Sequence, residues 1–594
     1  MTTLDGTTLE IQSSDGKIKV SSAELVEPDI YASNGVVHLV SSLLIPPGAL
    51  QLTPEKYLLA LNCTKFVSLL RSAELRSLIN NTEAKMTILA PRDDVLQAYN
   101  NSDLPEKGTP ELKKLLQYHF ISSKLTPKKL ENGSLIETML HEEGLGGGKQ
   151  VLPVEVSSDG KKSSTSIHFG GAGVIGDPSK SSLSHITSNL TTLSVEVNNT
   201  VIYFISRPLT PPADPLETAL PHLDLSSFIA AVFSSSQADT LRTAPRTTLL
   251  IPRNSAFKRL GLLVSNHLLS TTAKLDLENV VRHHALRDVE YARSITNGSQ
   301  HTFATLEGTD VQFDRMKNGS MFISGSGGWA DMKSEVFPLD LLTETGVIHE
   351  LSDVMIPRSV QLTLGKLVKA AEGSTMATLV VKAGFEWMLN GTAPPEGSPW
   401  ADKDISGVSW TLLCPTDEAF KKYDLDNLYA DPATLQSIIA QHLIPMPKNK
   451  PTVLDEELNN NQPLPLIDSA TYSTLYSGAS FYGDIIIRQR EDSKDLVVGI
   501  KGARGTDGAS DWARVLSWGR STTGDGTGGV VQIDQLLMPY HPSWWIEYGA
   551  PSTFGVFGTA AICALFYGVR KIWQRDTTEA TFEPVGGFGR DDDS

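Results

Sequence analysis

The chain has 594 residues, room for several domains of ordinary size rather than one core. With 51 basic against 68 acidic side chains its net charge is −17, which sets nucleic acid aside as a partner and leaves proteins, glycans and membranes. Apolar residues make up 40% and aromatics 7%, a globular composition, and cysteines only at Cys63, Cys414 and Cys563 read as no disulfide framework.

Taken in order, residues 1–50 read as strands: Leu9 to Val20, Ala23 to Val26, a tight turn at Asn34-Gly35, and Val36 to Val40 before Pro46-Pro47. The last of these recurs. Gly346 and Gly528 each lead to a proline, Pro357 and Pro539, at the spacing of Gly35 and Pro46. Apolar residues recur at matching offsets: Val37, Val40, Leu43 and Leu44; Ile348, Leu351, Val354 and Met355; Val530, Ile533, Leu536 and Leu537. A weaker copy runs from Thr200 to Pro211.

Three opening stretches precede these closing strands: Thr87-Ile-Leu-Ala-Pro-Arg-Asp-Asp-Val95, Thr248-Leu-Leu-Ile-Pro-Arg-Asn-Ser-Ala-Phe257 and Thr411-Leu-Leu-Cys-Pro-Thr-Asp-Glu-Ala-Phe420. Each begins as a short apolar strand closed by proline and continues as a helix start. In the third copy Thr416 is the expected N-cap, Asp417 and Glu418 lie at the positive end of the helix dipole, and Phe420 opens the apolar face. Between opening and closing stretches a helical pattern ends in Tyr118-His119, His283-His284 and Gln441-His442. Apolar residues at i, i+3 and i+4 put His119, His284 and His442 on the buried face, where a hydrogen bond tying helix to sheet is expected.

Four closing strands and three opening stretches predict an incomplete first repeat, as in an N-terminally truncated chain; the N-terminus lacks the pattern of a signal peptide. The expected domains are a closing half over 1–50, complete units over 53–212, 215–358 and 360–541, a membrane helix over 550–570 and a cytosolic tail over 571–594. Ser552 to Val569 carries no charge and, at 18 residues, spans about 27 Å as a helix. Trp544, Trp545 and Tyr548 on one side and Tyr567 and Trp573 on the other resemble interfacial belts. Arg570, Lys571 and Arg575 place the C-terminal side in the cytosol and the repeats in a lumen or outside the cell. Nine glycosylation triplets fit that orientation: Asn62, Asn80, Asn100, Asn132, Asn189, Asn198, Asn297, Asn318 and Asn390.

No base, orienting acid and nucleophile occur at a catalytic spacing, no His/Cys pair has metal-ligand spacing, and the glycine runs 144–148 and 524–529 lack the strand-to-helix context of a phosphate loop. No enzymatic activity, metal or cofactor is therefore expected.

The three recurring stretches together resemble the fasciclin family, whose domains open with Thr-x-x-x-Pro-Thr-x-x-Ala-Phe, carry a Tyr-His pair and close with Asn-Gly-x-x-His-x-x-x-x-x-Leu-x-Pro. Thr411–Phe420 matches the opening, Tyr118-His119 the pair, and Asn34-Gly35-Val36-Val37-His38 and Gly346-Val-Ile-His349 the closing strand. The resemblance implies α+β domains in tandem, each a twisted β-sandwich or wedge with flanking helices, on an anchored protein engaged in cell adhesion or matrix contact through protein or glycan ligands. Fungal relatives of similar layout imply a place at the cell surface or in the vacuolar membrane. There the alternative role is luminal support of membrane trafficking or fusion, including autophagosome–vacuole fusion. Glu27-Pro28-Asp29-Ile30 resembles an integrin-binding segment of animal members, which makes Asp29 and Ile30 candidate contacts; the other reading is that they shape the strand connection. The closing-strand histidine slot holds His38, Tyr203, His349 and Val531, and the tyrosine of the pair becomes His283 and Gln441, so an adhesive role of that pair is not expected in the last two repeats.

Overall fold

The computed structural model describes residues 1–45, 52–98, 104–159, 164–170, 194–398, 408–446, 470–503, 512–541 and 548–575, apart from a few single or paired positions within them. Two compact units result. One comprises Met1–Leu260 with Leu268–Val360, the other Gly261–His267 with Gln361–Ser594. The first unit starts with a four-stranded meander, Ile11–Ser14, Lys17–Val20, Ala23–Ala32 and Gly35–Val40, and continues with two complete repeats. The second holds one complete repeat and the C-terminal helix.

Each complete repeat is built on one parallel strand pair. The opening strands Met86–Pro91, Thr247–Pro252 and Trp410–Pro415 are buried along their whole length. They pair in parallel with the closing strands Thr200–Ile205, Gly346–Leu351 and Gly529–Ile533, in the registers Thr87↔Val201, Thr248↔Val347 and Leu412↔Val530. Continuous apolar sequence suits strands covered on both faces, and the terminal proline forgoes a donor only where the ladder ends.

In the third repeat the strand order is Ala285–Leu286, Thr247–Pro252, Gly346–Leu351, Lys333–Leu342, Met321–Gly325, Asp310–Arg315 and Gln300–Ala304. A bridge from Leu286 to Thr305 joins the two ends, so the sheet curls back on itself as a wedge. The fourth repeat has the same order, and the second has it cut at a different seam, between Ser164–Phe169 and Ser194–Val197. Alternation along the strands makes two cores. In the second repeat Ile88 and Ala90 pack with Leu58, Phe66, Leu70 and Leu116 of the helices, whereas Leu89 faces Ile121, Leu152 and Val154 inside the wedge.

The opening strand is preceded by helices that the repeat pattern alone did not indicate, for instance Pro54–Ala60, Thr64–Ser72 and Arg76–Asn80. They give a second task to Asp417, which lies in the first turn of its own helix as expected. Thr416 occupies the N-cap position of Asp417–Phe420 without a side-chain cap bond. The Asp417 carboxylate instead accepts from the Thr375 N–H at 2.9 Å and the Ser374 hydroxyl at 2.7 Å, capping the helix Ser374–Lys382 that precedes the strand. Asp93 does the same for Thr64–Ser72 through the N–H groups of Thr64 and Lys65, and Asn254 for Ser226–Ser234 through Ser227. Burial pushes the Asp93 and Asp417 carboxyls up, but these bonds outweigh it and hold both below the usual range.

The Cys63 thiol is buried at the start of Thr64–Ser72, where the helix packs on the opening strand. Its counterpart is Gly373, whose own Cβ would lie 2.5 Å from the Cys414 sulfur, and the residue facing Cys63 from the Cys414 position is Ala90. One sulfur fits at this contact in the second and in the fourth repeat, from opposite sides. Gly373→Ala is expected to cost about 1–3 kcal/mol in urea unfolding, and Cys414→Ala in the same chain to relieve most of that loss.

Candidate functional site

The helix histidines are structural ties. His119 Nδ1–H donates to the Leu115 carbonyl at 2.8 Å, and its Nε2 accepts the Leu209 N–H at 3.0 Å. His284 is held between Val280 O, at 2.7 Å, and Met355 N–H, at 3.1 Å; His442 lies between Ile438 O, at 2.8 Å, and Leu537 N–H, at 3.1 Å. Accepting a backbone N–H at Nε2 requires the proton on Nδ1, which fixes the neutral tautomer. The bond goes to the segment beyond the closing strand rather than to the sheet. All three rings are buried and have no open nitrogen for chemistry.

The residue before each histidine is buried as well. Tyr118 donates to Val151 O at 3.2 Å, His283 meets the Thr309 hydroxyl at 3.0 Å, and Gln441 donates to Gly483 O at 2.9 Å. In all three repeats this position faces inward, whatever its side chain.

The closing-strand slot has a common task. His349 Nε2–H donates to the Glu290 carbonyl at 2.7 Å, and in the second repeat the Tyr203 hydroxyl donates at 3.0 Å to the corresponding carbonyl, that of Leu125. Those two carbonyls correspond because Thr248 binds Glu290 N–H as Thr87 binds Leu125 N–H. His349 Nδ1 faces Asp340 at 3.6 Å; Asp340 accepts the Ala292 N–H at 2.7 Å and lies 3.6 Å from Arg293. Burial lowers the His349 pKa, opposed by Asp340 and by the bond to Glu290. In the fourth repeat Val531 pairs with Trp518, an apolar replacement of both partners. Sequence comparison places His349 and Tyr203 in one slot, and the shared carbonyl adds that they do the same work there.

In the first repeat the same pair is open. Asp29 sits in a bulge with φ +58° and its N–H donates to His38 Nδ1 at 3.1 Å; its carboxylate is 4.0 Å from that ring. Ile30 is 40% and Tyr31 84% exposed, so Asp29 both shapes the strand connection and stands at the surface beside Ile30.

Asn62, Asn80, Asn132, Asn198, Asn297, Asn318 and Asn390 are exposed; Asn100 and Asn189 lie outside the described residues. Asn62 and Asn198 adopt φ of 61° and 54°, and the Asn198 amide donates to Leu52 O at 3.1 Å. The C-terminal helix Ala550–Trp573 contains a 22-residue segment, Ser552–Trp573, of mean hydropathy 1.6 that is not buried, long and apolar enough to cross a membrane by length and composition. Tyr548, Tyr567 and Trp573 are exposed at its ends, and Trp544 and Trp545 lie outside the described residues. Among the described residues no group of three or more His, Cys, Asp or Glu is placed to hold a metal.

Protonating a helix histidine at Nε2 would expel the backbone N–H and bury a charge. Burial therefore pushes His119 and His442 down to about 4 and His284 to about 3, against 6.5 for the free ring. The unfolded chain binds the proton first. Stability is complete above about pH 6.5 and is lost as pH falls toward 4, at about 3 kcal/mol per ring. The expected outcome is a melting temperature that drops between pH 7 and pH 4.5, with His284→Gln lowering it at pH 7 and flattening the third repeat's share of the pH profile.

The Fasciclin domain model matches residues 1–46, 61–211, 223–357 and 371–486, most of the chain. Transforming growth factor-beta-induced protein ig-h3 of Sus scrofa is 26% identical over 364 residues, covering 60% of this chain and 45% of that protein. Periostin of Homo sapiens is 25% identical over 357 residues, covering 60% and 37%. A fasciclin-like arabinogalactan protein of Arthroderma benhamiae is 26% identical over 304 residues, covering 48% and 64%. The chain thus spans less than half the length of the first two relatives. Four matches to one domain model, three of them on the same curled sheet with the same ties, place the chain in the fasciclin domain family.

Proposed function

We propose that this chain is a single-pass membrane protein that presents fasciclin repeats at the cell surface, where they contact matrix or other cells. The observation that carries the reading is the union of a fasciclin array with one unburied apolar helix, Ser552–Trp573, whose last turn holds Arg570 and Lys571 and which Arg575 follows. The basic flank orients the C-terminus to the cytosol and the repeats outward. Exposed sequon asparagines on every complete repeat support that side as the glycosylated one. Fasciclin relatives named for growth-factor induction and for arabinogalactan support a surface or matrix role.

The reading is non-enzymatic. The buried histidines are occupied by backbone groups, so binding rests on surfaces, and several weak faces on one chain gain avidity together. The alternative is a luminal role in membrane trafficking at the vacuole, where acid would reduce the stability that the three neutral rings contribute.

With a tag after Ser594 in the native host, a de-N-glycosylating enzyme is expected to increase mobility, and intact cells to be labelled on the repeats by a membrane-impermeant reagent. No mobility change, with the repeats cleaved by protease added to the cytosolic side, would sink the orientation. A glycosylated chain found only in an internal acidic compartment would instead support the luminal trafficking role.

A further inference from the structure

One loop of the wedge meets, in every complete repeat, the part of the chain that comes next. The strand orders make three loops equivalent: residues 142–148, between Ser134–His141 and Lys149–Asp159; 305–309, between Gln300–Ala304 and Asp310–Arg315; and 473–484, between Thr471–Tyr472 and Ile485–Gln489. In the second repeat this loop packs on the third. The Gly144 carbonyl accepts the Arg246 N–H at 2.8 Å, and a Cβ on Gly144 would lie 2.7 Å from the Glu344 carbonyl oxygen. In the third repeat Glu307 is hydrogen-bonded to the side chain of Ser359, two residues past the closing Pro357. In the fourth the Tyr482 ring meets that of Tyr540, the residue after Pro539, edge to face at 5.0 Å.

What comes after the fourth repeat is the apolar helix. Residues 541–551 separate Tyr540 from Ser552 and reach at most roughly 40 Å when fully extended. The loop at this exit differs from its two counterparts in the direction a bilayer interface favours. Residues 142–148 carry Glu142 and Glu143, and residues 305–309 carry Glu307. Thr471 to Gly483 holds no charged side chain and includes Tyr472, Tyr476, Phe481 and Tyr482. Phe481 is 91% exposed. The loop that displays it is held firmly, because the Gly483 carbonyl accepts from the buried Gln441 amide at 2.9 Å and from the Thr474 hydroxyl at 2.7 Å. A Cβ on Gly483 would collide with the backbone of Ser477, so the turn is tight as well.

We propose that loop 473–484 is a second membrane contact: Phe481 enters the interfacial layer of the bilayer that Ser552–Trp573 crosses, with the Tyr482 and Tyr540 rings at headgroup level. The proposal rests on the membrane reading above. The occupant is lipid rather than another protein because this repeat's exit leads to the span, and because the loop lacks the carboxylates that its counterparts carry. Attachment at two points, the span and the ring, restricts the tilt of the fourth repeat on the membrane.

The test places an environment-sensitive fluorophore on Phe481→Cys in the full chain carrying Cys563→Ser, where Cys63 and Cys414 are buried, reconstituted in phosphatidylcholine vesicles. At so exposed a position the substitution is expected to leave the melting temperature unchanged. A nitroxide on the lipid near the headgroup is expected to quench this probe severalfold more than the same probe on Lys317→Cys, an exposed residue of the third repeat, and aqueous iodide to show the reverse order. The unsubstituted chain labelled at Cys563 reports the span separately, through a nitroxide deep in the acyl layer. Quenching at 563, with the 481 probe no more quenched by lipid than the 317 probe, would overturn the loop contact and leave the membrane reading standing. No quenching at 563 would sink both. A 481 probe shielded from iodide and from lipid nitroxide alike, as a protein partner would shield it, would also overturn the proposal.

Discussion

Everything in a complete repeat hangs on the parallel pairing of its first strand with its last. The two are separated by most of the repeat, so closing that loop costs entropy before any contact rewards it. What offsets the cost is burial on both faces. Met86–Pro91 and Thr200–Ile205 are buried throughout, and helices cover one side while the curled hairpins fill the other. In the third and fourth repeats close approach at the start of the closing strand excludes a side chain, which is why glycine stands at Gly346 and Gly528, whereas the second repeat has Thr200 at this position.

Around that pair the polar side chains serve the backbone. Asp93, Asn254 and Asp417 cap a helix that lies earlier in the chain. His119, His284 and His442 join their own helix end to the strand exit. Tyr203 and His349 hold the same loop carbonyl. Buried donors and acceptors are expensive to leave alone, and once engaged they are removed from chemistry. A domain assembled this way keeps these histidines inside, engaged by its own backbone. The neutral histidines also couple its stability to pH.

The first hairpin shows what the closing strand looks like without its partner. Its apolar residues, its glycine and its Asp–His pair are those of a covered element, yet they face solvent. The exposed Asp29–Ile30 bulge and the buried Asp340 are therefore one structural device in two states of coverage.

The sequence by itself determined the repeat count, the opening and closing strands, the inward direction of the helix histidines and the apolar C-terminal segment, and the family resemblance of those motifs implied the α+β class. These are legible because period, proline and glycine report local backbone geometry. Only the tertiary structure decided what each polar residue serves. Asp417 reads as belonging to its own helix but caps Ser374–Lys382, because the strand turn points its carboxylate at a helix end brought near by folding. Tyr203 and His349 read as a lost motif but bind one carbonyl, and Gly373 and Cys63 answer Cys414 and Ala90 across one contact. Such pairings join residues tens of positions apart, and hydrogen-bond direction and packing volume leave no periodic trace along a single chain.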